Sequence, residues 1–456
     1  MRITFLIVFT LTVILCVAQP RVFKEEEFVL AVKKNHPVAR QAYIGVKIAE
    51  AEVLTSRGAF DPVFSVDNSG KELDGTRYYT QRKTEIKIPT WYGIDIYAGK
   101  ENITGSRVNL EETKGSLNYI GFSAPLLQSF LMDKRRAALK QAKIFLDLSE
   151  VQQNIVINDL LLEATSSYWD WWETYHIYQL MQSSLKNAEK RLTMVRTAYS
   201  LGDRPAIDTL EAAAQVMSFS IKQNETFSEL VKAALQLSTF LWTDNQQNYD
   251  LPADIVPQDW VTSESINKDD LLKAAATNPE IIKYRFKLDA QEIENRLKLQ
   301  LVIPQLNLKY NQIGYNFTKI VNDSWFNDNY RLGISVNMPL RLSEGRGEYR
   351  KARLKISQIS LEQADKQVQT FAKVGAYYND LQQTMIQISM QGGLVKNMTA
   401  LQSGEEIRFF NGESTLFLIN ARESRTIESL QKLIELKAKN RKALLNLKWV
   451  AGIINN

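Results

Sequence analysis

The chain has 456 residues, 45% hydrophobic and 23% charged, with a formal net charge of +5. That is enough for one large or two to three ordinary domains, too apolar for disorder, and too thinly charged for the concentrated basic face that nucleic acid demands. Two histidines (His36, His176) and one cysteine (Cys16) leave no material for common zinc, iron–sulfur or cysteine-nucleophile sites, so no cofactor is implied and the balance leans away from an enzyme.

Residues 1–18 start with Arg2 as their only charge, continue through the apolar run ITFLIVFTLTVILCV and end on Ala18. This is the pattern of a secretory signal peptide cleaved after Ala18. Leu15 is bulky where lipid modification of Cys16 expects a small residue. Cleavage removes the only cysteine and, with Arg2, leaves a charge of +4. No later stretch reaches the ~18 apolar residues of a spanning helix, so a membrane, if crossed, is crossed by strands.

Beyond the leader, Glu25 and Glu26 open a short helix, as Asp269 and Asp270 do later, each favoured by the helix dipole. His36 precedes Pro37 and reads as a surface residue at a helix start. Residues 58–125 are dense in Gly, Asn, Thr and Tyr, and strands are predicted at about 60–125. There FSVDN (Phe64–Asn68) alternates, and Ile120, Phe122 and Ala124 oppose Tyr119, Gly121 and Ser123. Gly202 is then the one glycine between Gly121 and Gly314, and no proline occurs between Pro125 and Pro205. Such a tract predicts a helical hairpin over about 131–242 that turns at Gly202, its first helix on the order of 100 Å long. Ile157, Leu161, Ala164, Tyr168, Trp171, Tyr175 and Tyr178 alternate by four and three, a seam for packing on a partner helix. His176 falls among those aromatics. A Pro-containing linker, 243–267, follows.

The second half repeats this plan. Strands are predicted at about 303–340, where Leu306, Leu308 and Tyr310 share one face of QLNLKYN and Leu332, Ile334, Val336 and Met338 one face of LGISVNM. One apolar and one small or polar face suits a barrel wall between lipid and water, or equally a half-buried soluble sheet. A hairpin over about 343–450 carries the seam Val374, Tyr378, Leu381, Met385, Ile388; YRKARLK (Tyr349–Lys355) reads as a solvated face. Pro37/Pro279 and Pro62/Pro304 differ by 242, whereas Tyr168/Tyr378 and Gly202/Gly412 differ by 210. The halves are tandem repeats, 19–242 and 268–456, of short helix, helix, two strands, long helix, glycine turn and returning helix. The first has a longer strand region around 65–118. The expected fold class is an α+β membrane protein. An open sheet leaves edge N–H and C=O groups unpaired in lipid, so several copies must pool four or more strands each into one shared barrel, their helices bundling beside one another.

The layout resembles the TolC-like outer membrane efflux protein family over essentially the whole mature chain. APLLQSFLMDKRRAALKQA (Ala124–Ala142) and SYWDWW (Ser167–Trp172) are similar to signatures of one branch, and YSLGDRPAIDTLEA (Tyr199–Ala212) and FFNGESTLFLINARE (Phe409–Glu423) to the two hairpin tips. The resemblance implies a homotrimer with a twelve-stranded outer-membrane barrel and an α-helical barrel that crosses the periplasm to an adaptor and an inner-membrane pump. By that resemblance, Leu201, Gly202, Asp203 and Asn411, Gly412, Glu413 are the adaptor-docking tips. The gate residues common in the family's second repeat are replaced here by Phe409, Ser414, Leu418 and Ala421. In the first repeat the same offsets hold Tyr199, Arg204 and Asp208, which with Phe409 and Phe410 are the gate candidates. A ring of three Asp208 carboxylates is one reading; an Arg204–Asp208 ion pair over one helix turn is the other.

The function expected is a passive exit duct of a tripartite efflux pump or type I secretion system in a Gram-negative outer membrane. The competing class is a periplasmic coiled-coil scaffold or adaptor that never inserts.

Overall fold

A computed structural model describes residues 21–109, 111–252, 254–261, 266–322 and 324–454. The expected leader, with Cys16, lies outside the described residues. The elements in chain order are β1 (Arg21–Phe23), α1 (Glu25–Asn35), α2 (Pro37–Gly58), β2 (Val63–Leu73), β3 (Thr76–Pro89), β4 (Asp95–Thr104), β5 (Gly115–Pro125), α3 (Lys134–Ser200) and α4 (Ala206–Ser238). Then come β6 (Ile255–Pro257), α5 (Lys268–Ala276), α6 (Pro279–Gln300), β7 (Gln305–Gly314), α7 (Phe317–Asn322), β8 (Tyr330–Asn337), α8 (Ser343–Phe410) and α9 (Leu416–Ala451). Both long hairpins stand where the breaker-free tracts predict them, with α3 of 67 and α8 of 68 residues.

The strand region of the first half departs from the two strands expected. It folds as two hairpins, giving four strands, because turn residues interrupt it three times: Asp74-Gly75 at φ 50° and 71°, Gly93 at φ 80° within the 90–94 turn, and the connection from Gly105 at φ 144° to Gly115 at φ 104°. Positive φ at both central residues fits the right-handed twist of a tight hairpin. With β7 and β8 these strands make one six-stranded antiparallel sheet, ordered β2-β3-β4-β5-β7-β8.

The chain divides into two compact units, and neither is a sequence half. One takes residues up to Ala39, Asp159–Ile266 and Ala376–Trp449; the other takes Arg40–Asn158, Asn267–Gly375 and the residues from Val450.

In the first unit the aromatic stripe of α3 is the core: Tyr168, Trp169, Trp171 and Trp172 are buried. Tyr168 stacks on Phe28 at 5.8 Å and donates its hydroxyl to the Phe23 carbonyl at 2.6 Å. Trp172 Nε1 donates to the Gln258 carbonyl at 2.9 Å, so the stripe holds the parallel β1–β6 pair against the helix. Burial pushes the Tyr168 hydroxyl pKa well above its ordinary value. Arg441 reaches Glu25 at 3.2 Å while lying over the Trp169 ring.

The starts of α2 and α6 differ in chemistry. In the second unit, Asn278 caps α6 by accepting from the Glu280 amide at 2.7 Å, with Pro279 at the first helical position. In the first unit, His36 does the matching work: its Nδ1 accepts from the Val38 amide at 3.3 Å. His36 is not simply a surface residue, since its ring stacks on Phe240 at 5.7 Å and burial lowers its pKa.

Candidate functional site

Two places gather the features that the sequence marks. The first is the sheet. Partners in an antiparallel ladder share a face, so the register sorts every side chain. Ile88, Ile96, Phe122, Tyr310 and Leu332 form one cross-strand row, and Phe64, Ile86, Ala98 and Ile120 the next. Ala124–Leu308–Ile334 and Leu306–Val336 continue the belt, which covers about 20 Å along the strands at ~3.4 Å per residue. Much of it is open: Phe64 is 65%, Ile334 64% and Val336 71% exposed.

The opposite face is charged. One row reads Lys87, Tyr97, Gly121, Asn311, Arg331, and beside it lie Lys83, Glu85, Glu101, Tyr119 and Lys309. Lys83 pairs with Glu85 at 2.9 Å, Lys87 with Asp95 at 3.0 Å, and Arg135, at the start of α3, also with Asp95 at 2.8 Å. Tyr119 donates to Glu85 at 2.7 Å and lies over Gly99, where a Cβ would meet its hydroxyl at 2.4 Å. Arg331 on β8 reaches Glu101 on β4 at 3.7 Å, over β5 and β7. The polar side chains thus lean together on that face and neutralise one another.

Aromatic residues mark both ends of the belt. At the end where β2 begins, Phe60 stacks on Trp91 at 4.2 Å and Tyr92 is exposed. At the other end Tyr310 is buried under Phe326 (4.2 Å) and Trp325 (5.8 Å), and its hydroxyl accepts from the Phe326 amide at 2.8 Å. Among the described residues no helix is long and apolar enough to cross a membrane.

The second place is the pair of hairpin tips, both in the first unit. Each ends its helix in the same way: Gly202 (φ 81°) and Gly412 (φ 80°) take the left-handed conformation. The Gly202 and Asp203 amides donate to the Tyr199 and Ala198 carbonyls at 3.0 and 2.9 Å. Those of Gly412 and Glu413 donate to Phe409 and Arg408 at 3.0 and 2.8 Å. This is the paired-bond helix stop that a left-handed glycine permits, set twice at the 210-residue offset.

The chemistry around the two turns differs. Arg204 pairs with Asp208 at 3.6 Å, lies 4.0 Å from the Phe409 ring centre and donates to the Phe409 carbonyl at 3.0 Å. The first tip is thereby fastened to the second. Phe409 is buried with Val195, Ala212, Leu416 and Ile419, whereas Phe410, Leu201 and Tyr199 are exposed. At the positions matching Arg204 and Asp208 stand Ser414, which donates to Glu405 at 2.5 Å, and Leu418.

The sequence reading misses a buried ion pair beside these residues. Arg191 holds Glu423 through two bonds, 2.7 and 3.1 Å, and reaches Asn420 at 3.2 Å; Asn420 in turn donates to Glu211 at 3.1 Å. A cleft of about 700 Å³ opens here, lined by Lys190, Arg191, Arg204, Glu406, Phe409 and Glu423 among others. The partners are 232 residues apart and have no counterpart at the repeat offset, so no local signal announces them. Also missed is an exposed apolar stripe on α4: Ile207, Leu210, Met217 and Ile221. Its three-then-seven-then-four spacing is the signal that was there to be read.

No family model and no curated protein matches the chain. Solved structures do. The Campylobacter jejuni CmeC outer membrane channel superposes with a TM-score of 0.66 at 13% identity, over 94% of this chain and 86% of that one. The open state of the Neisseria gonorrhoeae MtrE outer membrane channel gives 0.67 at 14%, over 95% and 90%. The outer membrane protein VceC from Vibrio cholerae gives 0.65 at 13%, over 94% and 96%. At such identities the likeness speaks for architecture, and the chain has the fold of the TolC-like outer-membrane channels.

Proposed function

We propose that the chain is the outer-membrane exit duct of a tripartite efflux pump or type I secretion system, passive and without catalysis, and that it works as a homotrimer. The observation that carries this reading is the two-faced sheet. A continuous apolar face left open to solvent would be a liability on a soluble protein and is what a wall against lipid needs. The charged face then lines water. The exposed stripe on α4 and the heptad-spaced Leu354, Leu361 and Val368 on α8 favour neighbouring copies as the helices' remaining partners.

On this reading the halves 19–242 and 268–456 are structural repeats joined by 243–267, and the helices stand in the periplasm. Leu201, Gly202 and Asp203 with Asn411, Gly412 and Glu413 meet a periplasmic adaptor that leads to an inner-membrane pump. Tyr199, Arg204, Asp208, Phe409 and Phe410 form the closure. The Arg204–Asp208 distance supports the ion-pair reading of Asp208, and a ring of three carboxylates is then a property of the paired form. The similar solved structures are of outer-membrane proteins, which supports that location here.

The test is expression of the full chain with its leader, membrane fractionation and semi-native electrophoresis, followed by planar-bilayer recording. Trimers in the outer-membrane fraction that conduct ions are expected. A soluble periplasmic monomer would instead establish the scaffold class.

A further inference from the structure

The sheet itself bears on how many strands close the wall. We propose that all six strands belong to the wall, so that β8 of one copy pairs with β2 of the next and three copies close eighteen strands, in place of the twelve implied by the family resemblance. The inference rests on the channel reading above and deepens it.

Three observations carry it. First, the β2–β3 hairpin is built into the belt. Phe64 and Ile86 continue the row of Ala98 and Ile120, and Ile88 continues that of Ile96 and Phe122. A hairpin that stood in water above the membrane would have no use for that alternation. Second, its other face continues the charged wall: Ser65, Lys83, Glu85 and Lys87 lie there, and the Lys87–Asp95 pair ties β3 to β4. Third, the free edges match. β2 leaves the end that holds the 90–94 turn and β8 runs back toward it, so β8 beside β2 of a second copy is antiparallel, as is every pair already formed in the sheet. An edge in lipid must find such a partner, because each unpaired N–H or C=O there is costly.

Barrel diameter grows about linearly with strand number, so eighteen strands give a mouth roughly half as wide again as twelve, in the range that holds an open aqueous channel. The outer mouth is then not the narrow point of the duct, and the cargo class it suits is broad and hydrated.

The competing arrangement keeps β4, β5, β7 and β8 in the wall and folds the β2–β3 hairpin away, which makes the seam β4–β8. Cysteine pairs separate the two in a Cys16→Ser full-length chain. Phe64→Cys or Val66→Cys is combined with Leu332→Cys, Ile334→Cys or Val336→Cys; the competing set replaces the β2 position by Ile96→Cys or Ala98→Cys. Mild oxidation of membranes is expected to link β2/β8 pairs into a ladder that stops at three protomers. The β4/β8 pairs should stay unlinked, since two intervening strands hold them about 14 Å apart, beyond disulfide reach. Cross-linking through β4/β8, or a β2/β8 ladder that ends at another number, overturns the eighteen-stranded barrel and leaves the channel standing. Chain that never enters the membrane overturns both. Hydrogen exchange of the unaltered oligomer gives an independent reading. Protection is expected at every residue of β2, including those facing away from β3, and rapid exchange at the outward-facing amides would refute the seam.

Discussion

The buried pair at the tips gives the sharpest stability test. Arg191 and Glu423 meet through two bonds of 2.7 and 3.1 Å, with side chains only 11% and 4% exposed. The discount that applies to surface ion pairs therefore does not apply here. Two charges so far out of water roughly repay their own desolvation, but either one alone does not, and removing one partner of such a pair costs about 3–5 kcal/mol. Glu406, 4.0 Å from Arg191 and partly exposed, offers Arg191 little compensation when Glu423 is lost and, as a second carboxylate, offers Glu423 none when Arg191 is lost. Arg191→Ala is thus expected to raise the local opening constant of α9 next to the tip by at least roughly 150-fold, the equivalent of ~3 kcal/mol. Glu423→Ala should do much the same. Arg191→Met with Glu423→Leu, which removes both charges and keeps volume, should return to within about tenfold of the original. The assay is hydrogen exchange at the amides of Leu416–Glu428 in the assembled protein. An Arg191→Ala rate within about threefold of the original, or a double variant as labile as the single ones, would refute the reasoning.

Other outcomes follow from single contacts. His36 accepts a hydrogen bond only when neutral and burial lowers its pKa, so its contribution is full above the unfolded value of about 6.5 and is lost as pH falls from there toward the folded value. His36→Asn keeps the cap and should remove that part of the fall in thermal midpoint between pH 7.5 and 5.5; burial lowers His176 as well and raises Glu173, whose effect has the opposite sign. Arg204→Ala with Asp208→Ala should raise single-channel conductance and lower cation preference in planar bilayers with trimers intact, and unchanged values would place the closure elsewhere. Gly202→Ala meets no neighbour within 4 Å and should cost only its left-handed backbone, about 1 kcal/mol, with Gly202→Asn costing less, as read by exchange at the tip. Ile334→Lys on the apolar face should cost ~2–4 kcal/mol of barrel stability, while Ser335→Lys on the opposite face should cost little; equal losses in urea resistance would argue against lipid on the apolar side.

How much of this the chain announces depends on the range of the signal. The 3–4 seam of α3 is local, and its aromatics prove to be the core of the first unit. The glycine turns are local as well, and both carry the same pair of bonds. Strand alternation survives too: Leu306, Leu308 and Tyr310 share a face with Leu332, Ile334 and Val336 as their spacing implies. The strand number of the first half was also within reach, because Asp74-Gly75 between alternating runs is a strong hairpin signal. What reading along the chain does not yield is pairing at long range. Nothing near Arg191 points to Glu423, and nothing near Tyr168 points to the carbonyl of Phe23, 145 residues away. The first of these bonds exists only because helices from both halves meet in one unit, and the second because the chain's first strand packs there as well.

That interleaving explains why the two tips can share a backbone and divide their chemistry. The shared turn needs only a left-handed glycine with its two bonds. The charged groups are then free to differ, provided that each tip's lack is met by the other. Phe409 of the second tip offers the ring and carbonyl that Arg204 of the first tip takes hold of. Arg191 from the first hairpin likewise finds its carboxylate on the second. Ser414 stands where the first tip has Arg204, and the cation at Phe409 is supplied from the first tip. Because Arg204 fastens the first tip to the ring and carbonyl of Phe409 on the second, movement of one tip carries the other with it, so the two hairpins should move as one body and not one at a time.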